Sequence, residues 1–127
     1  SNGRTREFGS RYYGSNPYIP MKVYYEERLN MSPKTEILTI MRQHFDEIKT
    51  YGVKKVGLFG SFARSSQNVK SDIDILVEFE RRGKTFDSYM DLKFFLEKLF
   101  HRKVDLVIKD ALKARIKNRV LSEVKYA

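Results

Sequence analysis

Two aspartates, Asp72 and Asp74, occupy alternate positions at the start of the apolar run SDIDILVEF. Residues two apart in a β-strand point to the same side, with their Cα atoms ~6.5 to 7 Å apart. A third aspartate, Asp105, interrupts a second apolar run, KVDLVI. If the two runs form neighbouring strands, all three carboxylates face one pocket, and their mutual repulsion raises their pKa values unless cations compensate. Two magnesium ions held there would suit an in-line phosphoryl or nucleotidyl displacement.

A simpler interpretation of the same aspartates stays open. Asp72 and Asp74 could lie on a solvated face, and Asp105 could pair with a lysine or an arginine. An Asp-x-Asp pair by itself is a weak signal for metal binding. The upstream turn Gly60-Ser61 makes the metal hypothesis more specific. Glycine lets the backbone approach phosphate oxygens closely, and a serine at a helix start donates its hydroxyl and amide to an anion.

The spacing of apolar residues predicts the elements that must position these groups. Ser32 and Pro33 are typical of a helix N-cap and first helical position, and Gly52 is typical of a helix end. The predicted elements are, in order, a helix over 33–50, strands over 53–59 and 71–79, a helix around 89–99, a strand over 103–108 and a helix around 112–120. This order predicts an α+β fold of two layers, in which helices pack on a small β-sheet.

The composition limits the class of protein. The chain has 127 residues, 41% of them hydrophobic and 32% charged, which is typical of one soluble globular domain. No apolar run approaches the ~20 residues of a membrane span and no export signal is evident, so we expect no membrane association and a cytoplasmic location. The absence of cysteine excludes disulfides and cysteine zinc sites. The formal net charge of +9 favours polyanionic partners such as nucleotides or nucleic acids.

The aromatic and histidine residues are interpreted as structural. Phenylalanines that recur in the predicted elements are expected to crowd the core, among them Phe45, Phe59, Phe79 and Phe95. His44 and His101 are expected on helix surfaces or at helix ends, because neither is spaced with the aspartates. Neither histidine is therefore a candidate metal ligand.

Residues 1–30 differ in composition from the rest of the chain. They hold five of the eight tyrosines and two of the three prolines, with no sustained helical or strand period. The tetrapeptide EFGS at residues 7–10 is what two adjacent cloning sites would encode, so part of this tail is expected to derive from a vector, with Met31 or Met21 as the natural start. An aromatic arm that docks on a partner is the alternative. Residues 31–127 are predicted to form the single globular domain.

The stretch GSFARSSQNVKSDIDILVEF, followed by VDLVI, resembles the minimal nucleotidyltransferases of the DNA polymerase β superfamily. That family has the pattern Gly-Ser, ten residues, Asp-x-Asp, and the resemblance covers residues 31–127. It implies a small mixed sheet flanked by helices, equivalent to the polymerase palm. It also implies transfer of a nucleoside monophosphate from a nucleoside triphosphate with two Mg²⁺ ions.

The resemblance also implies a role for each matching residue. Ser61, backed by Gly60, would hold the triphosphate. Asp72 and Asp74 would be ligands of both metal ions. Asp105 would be a ligand of the catalytic metal ion and would help to deprotonate the attacking hydroxyl.

Two neighbouring positions complete this comparison with the family. Arg64 lies where relatives commonly have a basic residue, and it would give electrostatic support to the nucleotide, with a solvated helix surface as the alternative. Ser65 follows it where many relatives have glycine. This departure predicts a slightly different loop geometry.

The acceptor is not visible in the motifs. The chain has no room for the template or primer domains of larger relatives, so a partner must bring the acceptor. Among short members, the sequence resembles the antitoxin of toxin–antitoxin pairs, which transfers AMP from ATP to a tyrosine of a HEPN-domain ribonuclease toxin. Basic residues near the C-terminus could contact that partner or its RNA: Lys109, Lys113, Arg115, Lys117, Arg119 and Lys125.

Two other functions stay open at the level of sequence. The protein could be a non-catalytic antitoxin that neutralises its toxin by contact alone. It could also be a nucleotidyltransferase that acts on RNA or on a small molecule such as an antibiotic. The intact set of three aspartates argues against the first alternative.

Overall fold

The computed structural model describes residues 32–127. The predicted tail over residues 1–30 and both candidate start methionines lie outside the described residues, so these expectations stay predictions. Pro33–Ala127 form one compact unit.

The described elements alternate between helices and strands. The helices are α1 (Pro33–Gln43), α2 (Phe45–Lys49), α3 (Gly60–Arg64), α4 (Phe86–Phe100) and α5 (Ala114–Glu123). The strands are β1 (Val53–Phe59), β2 (Ile73–Phe79), β3 (Val104–Ile108) and β4 (Lys125–Tyr126), and a 3₁₀ turn covers Lys109–Ala111.

The sheet in this part of the chain is mixed. Its strand order is β3-β2-β1-β4. Strand β1 runs antiparallel to both β2 and β4, whereas β2 and β3 are parallel. The parallel connection from β2 to β3 contains α4, as expected for a crossover between parallel strands. The predicted mixed sheet with flanking helices is therefore confirmed.

The core lies on one face of the sheet. Alternate residues of β2 point into it, and helices α1, α2 and α4 contribute apolar residues at helical spacing. The most deeply buried members are aliphatic or methionine: Met41, Ile48, Leu58, Ile73, Ile75, Leu92 and Leu96. The expected packing of phenylalanines is found in part: Phe62 is buried in the core, whereas Phe45, Phe79 and Phe95 pack against its margin and are only partly buried. Branched aliphatic chains fill the narrow space between sheet and helices more closely.

Three local features differ from the expected elements. The predicted helix over 33–50 is divided at His44, whose Nδ1 lies 2.9 Å from the carbonyl oxygen of Ile40. Strand β1 has a register irregularity between Val53 and Lys55, which places two exposed lysines between the buried Val53 and Val56. Strand β4 was not predicted, because a two-residue strand carries no period that a sequence can show.

None of the described helices combines the length and apolar character needed to cross a lipid bilayer. The cytoplasmic location expected from the sequence stays a prediction.

Candidate functional site

The pairing of β2 with β3 brings two of the three predicted aspartates together. Asp74 and Asp105 are register partners in the parallel pair, and the first pair of that ladder is Ile73 with Val104. Register partners in a sheet present their side chains to the same face. Asp72 directly precedes β2. Asp72 and Asp105 are both exposed to solvent. The expectation that the third strand lies beside the second is confirmed.

The predicted phosphate turn lies against the same carboxylate. Strand β1 ends at Phe59, which pairs with Asp74, and α3 begins at the next residue, Gly60. Gly60 has φ +74°, and a Cβ at this position would overlap the Asp74 carboxylate. A glycine is therefore required on both grounds, because the left-handed region and the close approach each disfavour a side chain. The Ser61 hydroxyl has no hydrogen-bond partner within residues 32–127, so it is available to a ligand.

The loop between α3 and β2 is held by its own polar side chains. The Asn68 amide oxygen accepts from the Lys70 backbone at 2.8 Å, and the Ser71 hydroxyl accepts from the Asn68 backbone at 2.9 Å. Arg102 donates to the carbonyl oxygens of Val69 and Ser71 at 3.1 and 3.0 Å. These contacts fix the backbone that leads into the first aspartate.

The guanidinium of Arg102 also lies 5.4 Å from the centroid of the Phe62 ring in α3. The end of α4, the loop and the phosphate turn are therefore tied together by one side chain.

The electrostatics of the site are dominated by uncompensated negative charge. Burial, then the charges of Asp105 and Asp72, raise the pKa of Asp74 to about 6. In the described part of the chain, none of these three carboxylates forms an ion pair with a lysine or arginine. The alternative interpretation, in which Asp105 pairs with a basic residue, therefore finds no support in residues 32–127.

The donor set is suited to a hard cation. Carboxylate oxygens are the ligands that magnesium prefers, and a cation beside Asp74 would relieve the repulsion that raises its pKa. Across residues 32–127, however, no three acidic or histidine side chains are gathered as a ready metal cage. Magnesium sites of phosphate chemistry commonly use one or two carboxylates, and waters and substrate phosphates complete the coordination. The residues therefore fit the ion, and the metal assignment of Asp72, Asp74 and Asp105 stays a prediction.

Arg64 lies at the end of α3, and its side chain is 52% exposed. One of its nitrogens donates to both oxygens of the Glu123 carboxylate at 3.0 Å. The same carboxylate accepts from the Gly60 backbone N–H at 2.7 Å. Sequence reasoning missed Glu123, because a glutamate near a helix end matches no motif and lies 63 positions from its partner.

Ser65, the position at which the sequence departs from many relatives, has φ +59° and ψ +35°. It ends α3 in the left-handed conformation that glycine adopts most readily. The departure therefore places a residue with a side chain in a glycine-like conformation. The predicted difference in loop geometry stays a prediction.

An apolar cavity of about 550 Å³ opens between β3 and the start of α4. Its lining includes Tyr89 and Ile108, which are partly buried, and Phe86, which is exposed. The Tyr89 hydroxyl donates to the Leu106 carbonyl at 2.6 Å, and burial together with the charge of Asp105 raises the pKa of Tyr89. The cavity thus adjoins the strand that carries one candidate catalytic residue.

The basic residues near the C-terminus are mostly solvent-exposed. Lys109 forms an ion pair with Glu78, while the others are exposed on or beside α5: Lys113, Arg115, Lys117, Arg119 and Lys125. Their predicted contact with a partner or its RNA stays a prediction. His44 and His101 lie at helix ends, as predicted.

Comparison with known proteins matches this geometry to one family. The family model described as a nucleotidyltransferase domain matches residues 35–127. The protein adenylyltransferase MntA of Thermococcus cleftensis is 40% identical over 92 residues, which is 72% of this chain and 92% of that relative. The protein MJ1379 of Methanocaldococcus jannaschii is 43% identical over 84 residues, which is 65% of this chain and 84% of that relative.

Solved structures show the same fold. One that is assigned to a minimal nucleotidyltransferase has a TM-score of 0.55 and 27% identity, and the similarity covers 87% of this chain and 98% of that one. A toxin–antitoxin complex with AMP-PNP contains a chain with a TM-score of 0.54 and 22% identity, covering 73% of this chain and 70% of that one. The second likeness is evidence for the fold alone.

Proposed function

Because the chain belongs to the nucleotidyltransferase domain family, we propose that it transfers AMP from ATP to a hydroxyl of a partner protein. The acceptor in this proposal is a tyrosine of a HEPN-domain ribonuclease toxin, and the transfer silences that toxin. The protein is then a catalytic antitoxin that depends on magnesium.

One observation carries the catalytic part of the proposal. The turn at Gly60 lies directly against the carboxylate of Asp74, which is the register partner of Asp105. A phosphate held by Ser61 would therefore sit beside two carboxylates that need a cation. This combination of a phosphate turn and adjacent acidic residues suits nucleotidyl transfer.

The reaction breaks one bond and forms one bond at the α-phosphorus of ATP. The acceptor hydroxyl oxygen attacks this phosphorus, the bond to the bridging oxygen of the β-phosphate breaks, and pyrophosphate leaves. The acceptor proton passes to the exposed carboxylate of Asp105, which acts as the general base. The product is the AMP ester of the acceptor.

The other residues bind and orient the nucleotide. Ser61 donates its hydroxyl to the triphosphate, and Arg64 supplies positive charge beside it. Asp72, Asp74 and Asp105 would hold the magnesium ions. When bound there, magnesium neutralises the charge that develops on the attacking and leaving oxygens.

The choice of a protein acceptor is supported by the named activity of the relative from T. cleftensis. The choice of a HEPN toxin follows from the resemblance of the sequence to short antitoxins. The exposed basic residues of α5 offer a surface for an acidic face of that partner or for RNA bound to it. No contact with a membrane is part of the proposal.

Mass spectrometry of the partner protein tests the proposal directly. The partner encoded beside this protein is incubated with the wild type, ATP and Mg²⁺. We expect its mass to increase by one or more AMP units, and we expect Asp72→Asn to abolish the increase. A matched reaction with EDTA in place of Mg²⁺ should leave the mass unchanged.

The alternatives give different results in the same experiment. If the wild type inhibits the partner's ribonuclease activity while the partner's mass stays unchanged, the protein acts by contact and the catalytic proposal is wrong. If label from [α-³²P]ATP appears on RNA and not on protein, the acceptor class is wrong.

A further inference from the structure

The carboxylate of Glu123 bridges both ends of the short helix that carries the phosphate turn. Its Oε2 accepts from the Gly60 backbone N–H at 2.7 Å, and both of its oxygens lie 3.0 Å from Nη1 of Arg64. The Glu123 side chain is 17% exposed. Its charge-assisted hydrogen bond to the Gly60 N–H is partly buried, whereas its bonds to Arg64 are exposed to solvent. Glu123 therefore constrains the first and last residues of α3 at once.

Glu123 is itself held close to the strand that precedes the turn. It is the last residue of α5, and β4 follows two residues later and pairs with Gly57 and Leu58 of β1. The Ala127 N–H also donates to the Val56 carbonyl at 2.9 Å. The helix that carries Glu123 and the turn that Glu123 holds are thus anchored to the same strand.

The position of Gly60 decides the geometry of the candidate site. Because Gly60 packs against the Asp74 carboxylate, any shift of the turn changes the distance between the phosphate position and the aspartates. Gly60 has φ +74° and begins a helix of only five residues, so the backbone of the turn provides little rigidity by itself. A hydrogen bond to the Gly60 N–H supplies the missing constraint.

The contacts of Arg64 leave it able to bind a phosphate as well. A guanidinium has five N–H donors, and Glu123 contacts Arg64 through Nη1. The Arg64 side chain is still half-exposed, so its other donors can reach a ligand. An arginine that is already oriented loses less side-chain entropy when the nucleotide binds.

We propose that Glu123 is a positioning residue of the nucleotide site. By accepting from the Gly60 N–H it holds the turn that carries Ser61, and by its contact with Arg64 it orients the guanidinium, so that both groups are in place for the triphosphate of ATP. This inference rests on the proposed function in so far as ATP is the ligand. It assigns to the C-terminal helix an indirect role in nucleotide binding, through Gly60 and Arg64, that the Gly-Ser and Asp-x-Asp motifs do not contain.

The test measures MgATP affinity by calorimetry for Glu123→Ala and Glu123→Gln. Removal of the carboxylate should weaken MgATP binding about tenfold, as expected for one lost charge-assisted interaction. Glutamine keeps an acceptor for the Gly60 N–H but loses the charge that orients Arg64, so Glu123→Gln should weaken binding by only about threefold. Glu78→Gln is the matched control, because Glu78 is equally shielded and ion-paired but contacts Lys109 away from the turn, and its affinity should stay at the wild-type value.

A purely structural role is separated from positioning by two further readouts. With the acceptor protein present, the KM for ATP should rise in Glu123→Ala at a temperature well below its unfolding midpoint. In the double variant Glu123→Ala/Arg64→Ala, MgATP affinity should fall by clearly less than the product of the losses in the two single variants, because the two residues act together. Full additivity of the two substitutions would contradict the proposal.

Wild-type MgATP affinity in folded Glu123→Ala overturns the proposal. Tighter binding overturns it too, and would identify the carboxylate as an internal competitor of the phosphate. If Glu123→Ala does not fold, the MgATP affinity of Glu123→Gln is compared with that of Glu78→Gln. Weaker binding by Glu123→Gln supports the proposal, and equal or tighter binding overturns it. If the wild type binds MgATP but transfers no AMP, the proposed function fails while the positioning role is still judged from affinity. If the wild type does not bind MgATP, both fail.

Discussion

The two ends of strand β2 carry a carboxylate on the same face of the sheet but in opposite electrostatic surroundings. At the start of the strand, Asp74 faces the negative charges of Asp105, Asp72 and Glu123, which the positive charge of Arg64 offsets only in part, because the pKa of Asp74 is still raised. At its end, Glu78 lies 3.5 Å from the ammonium group of Lys109 and 3.5 Å from the Tyr126 hydroxyl. One carboxylate is neutralised by its neighbours and the other is not.

The Glu78 end shows how this fold treats a carboxylate with a structural role. Lys109 follows β3 directly, and Tyr126 belongs to β4 on the far side of β1, so one partner reaches Glu78 from each side of the sheet. Such a pair at a partly shielded position contributes about 0.2 to 1 kcal/mol to stability. The same scaffold could place a basic residue beside Asp74, but residues 32–127 place none there in an ion pair.

The difference between the two ends is what the proposed function requires, since the Asp74 end is there the one that binds a ligand. Burial and like charges raise the pKa of Asp74 to about 6, which is a cost to the folded protein at neutral pH. A bound cation would remove that cost. A lysine ion-paired with Asp74 would also remove it, but a cation would then gain little by binding there. Retained repulsion of this kind is typical of catalytic carboxylates.

The largest expected effect is on catalysis. Asp74→Asn should lower the rate of AMP transfer by about a thousandfold, because a metal ligand supports several kcal/mol of charge stabilisation in the transition state. Glu78→Gln, at the other end of the same strand, should change the rate by less than about twofold. Initial rates of label transfer from [α-³²P]ATP measure both.

Equal rates for these two variants would contradict the functional distinction between the two ends of β2. Circular dichroism of each variant should match the wild type. A loss of rate can then be attributed to the site, and unfolding is excluded as its cause.

The next largest effect is on nucleotide affinity. Ser61→Ala should weaken MgATP binding about tenfold, because it removes a hydroxyl donor to a charged phosphate. Ser88→Ala is the control, since the Ser88 hydroxyl is bonded to Thr85 at the start of α4. Calorimetric titration should show wild-type affinity for the control. Unchanged MgATP affinity in Ser61→Ala would contradict the placement of the triphosphate at the Gly60 turn.

A smaller effect concerns stability and its dependence on pH. The folded pKa of Asp74, about 6, lies above its ordinary value of 3.8. Asp74 therefore contributes most to stability below about pH 4, and this contribution is lost as the pH rises to about 6. Asp74→Asn should be more stable than the wild type at pH 7 by about 1 kcal/mol, a value reduced for solvent screening because Asp74 is only half-buried.

Denaturant unfolding of the metal-free proteins across pH 4 to 7 measures this difference. The stability of Asp74→Asn relative to the wild type should grow between about pH 4 and pH 6 and then stay constant. These limits are the ordinary pKa of Asp74 and its raised pKa in the folded protein. Glu78→Gln should show no stabilisation at pH 7. If Asp74→Asn is the less stable protein at pH 7, the charge at this end of β2 is compensated after all.

The smallest expected effect concerns the backbone near Asp74. Ser65→Gly should stabilise the protein by about 0.5 kcal/mol, because relief of the left-handed strain exceeds the added entropy of the unfolded chain. His101→Gly is matched to it, since His101 ends α4 with φ +53°. Thermal unfolding should show a similar gain for both, with MgATP affinity within about twofold of wild type. A loss of affinity confined to Ser65→Gly would show that the serine side chain takes part in binding.

Much of the fold could be predicted from local patterns. Strand β1 was predicted with its observed bounds, and β2 and β3 within two residues. The signals were a short apolar run that ends at Gly60 for β1 and a period of two at the start of β2. The turn at Gly60 was predicted from glycine and serine at a strand end. The division at His44 and the irregularity at Val53 were not predicted, since each depends on one local hydrogen-bond or register choice.

The sequence by itself predicted that Asp72 and Asp74 share one side, because side-chain direction in a strand alternates locally. The structure begins the strand at Ile73, so Asp72 lies one residue before it. It also determined a phosphate-compatible turn, because the residue types at Gly60 and Ser61 act through their own backbone and hydroxyl.

Only the tertiary structure decided which groups meet at that turn. Asp105 reaches Asp74 because β3 pairs with β2 in parallel register, and a shift of one residue would turn its side chain to the opposite face. Glu123 reaches Gly60 because the C-terminal strand returns to β1. Contacts across such long separations depend on how the whole chain buries its apolar faces, and no local period encodes them.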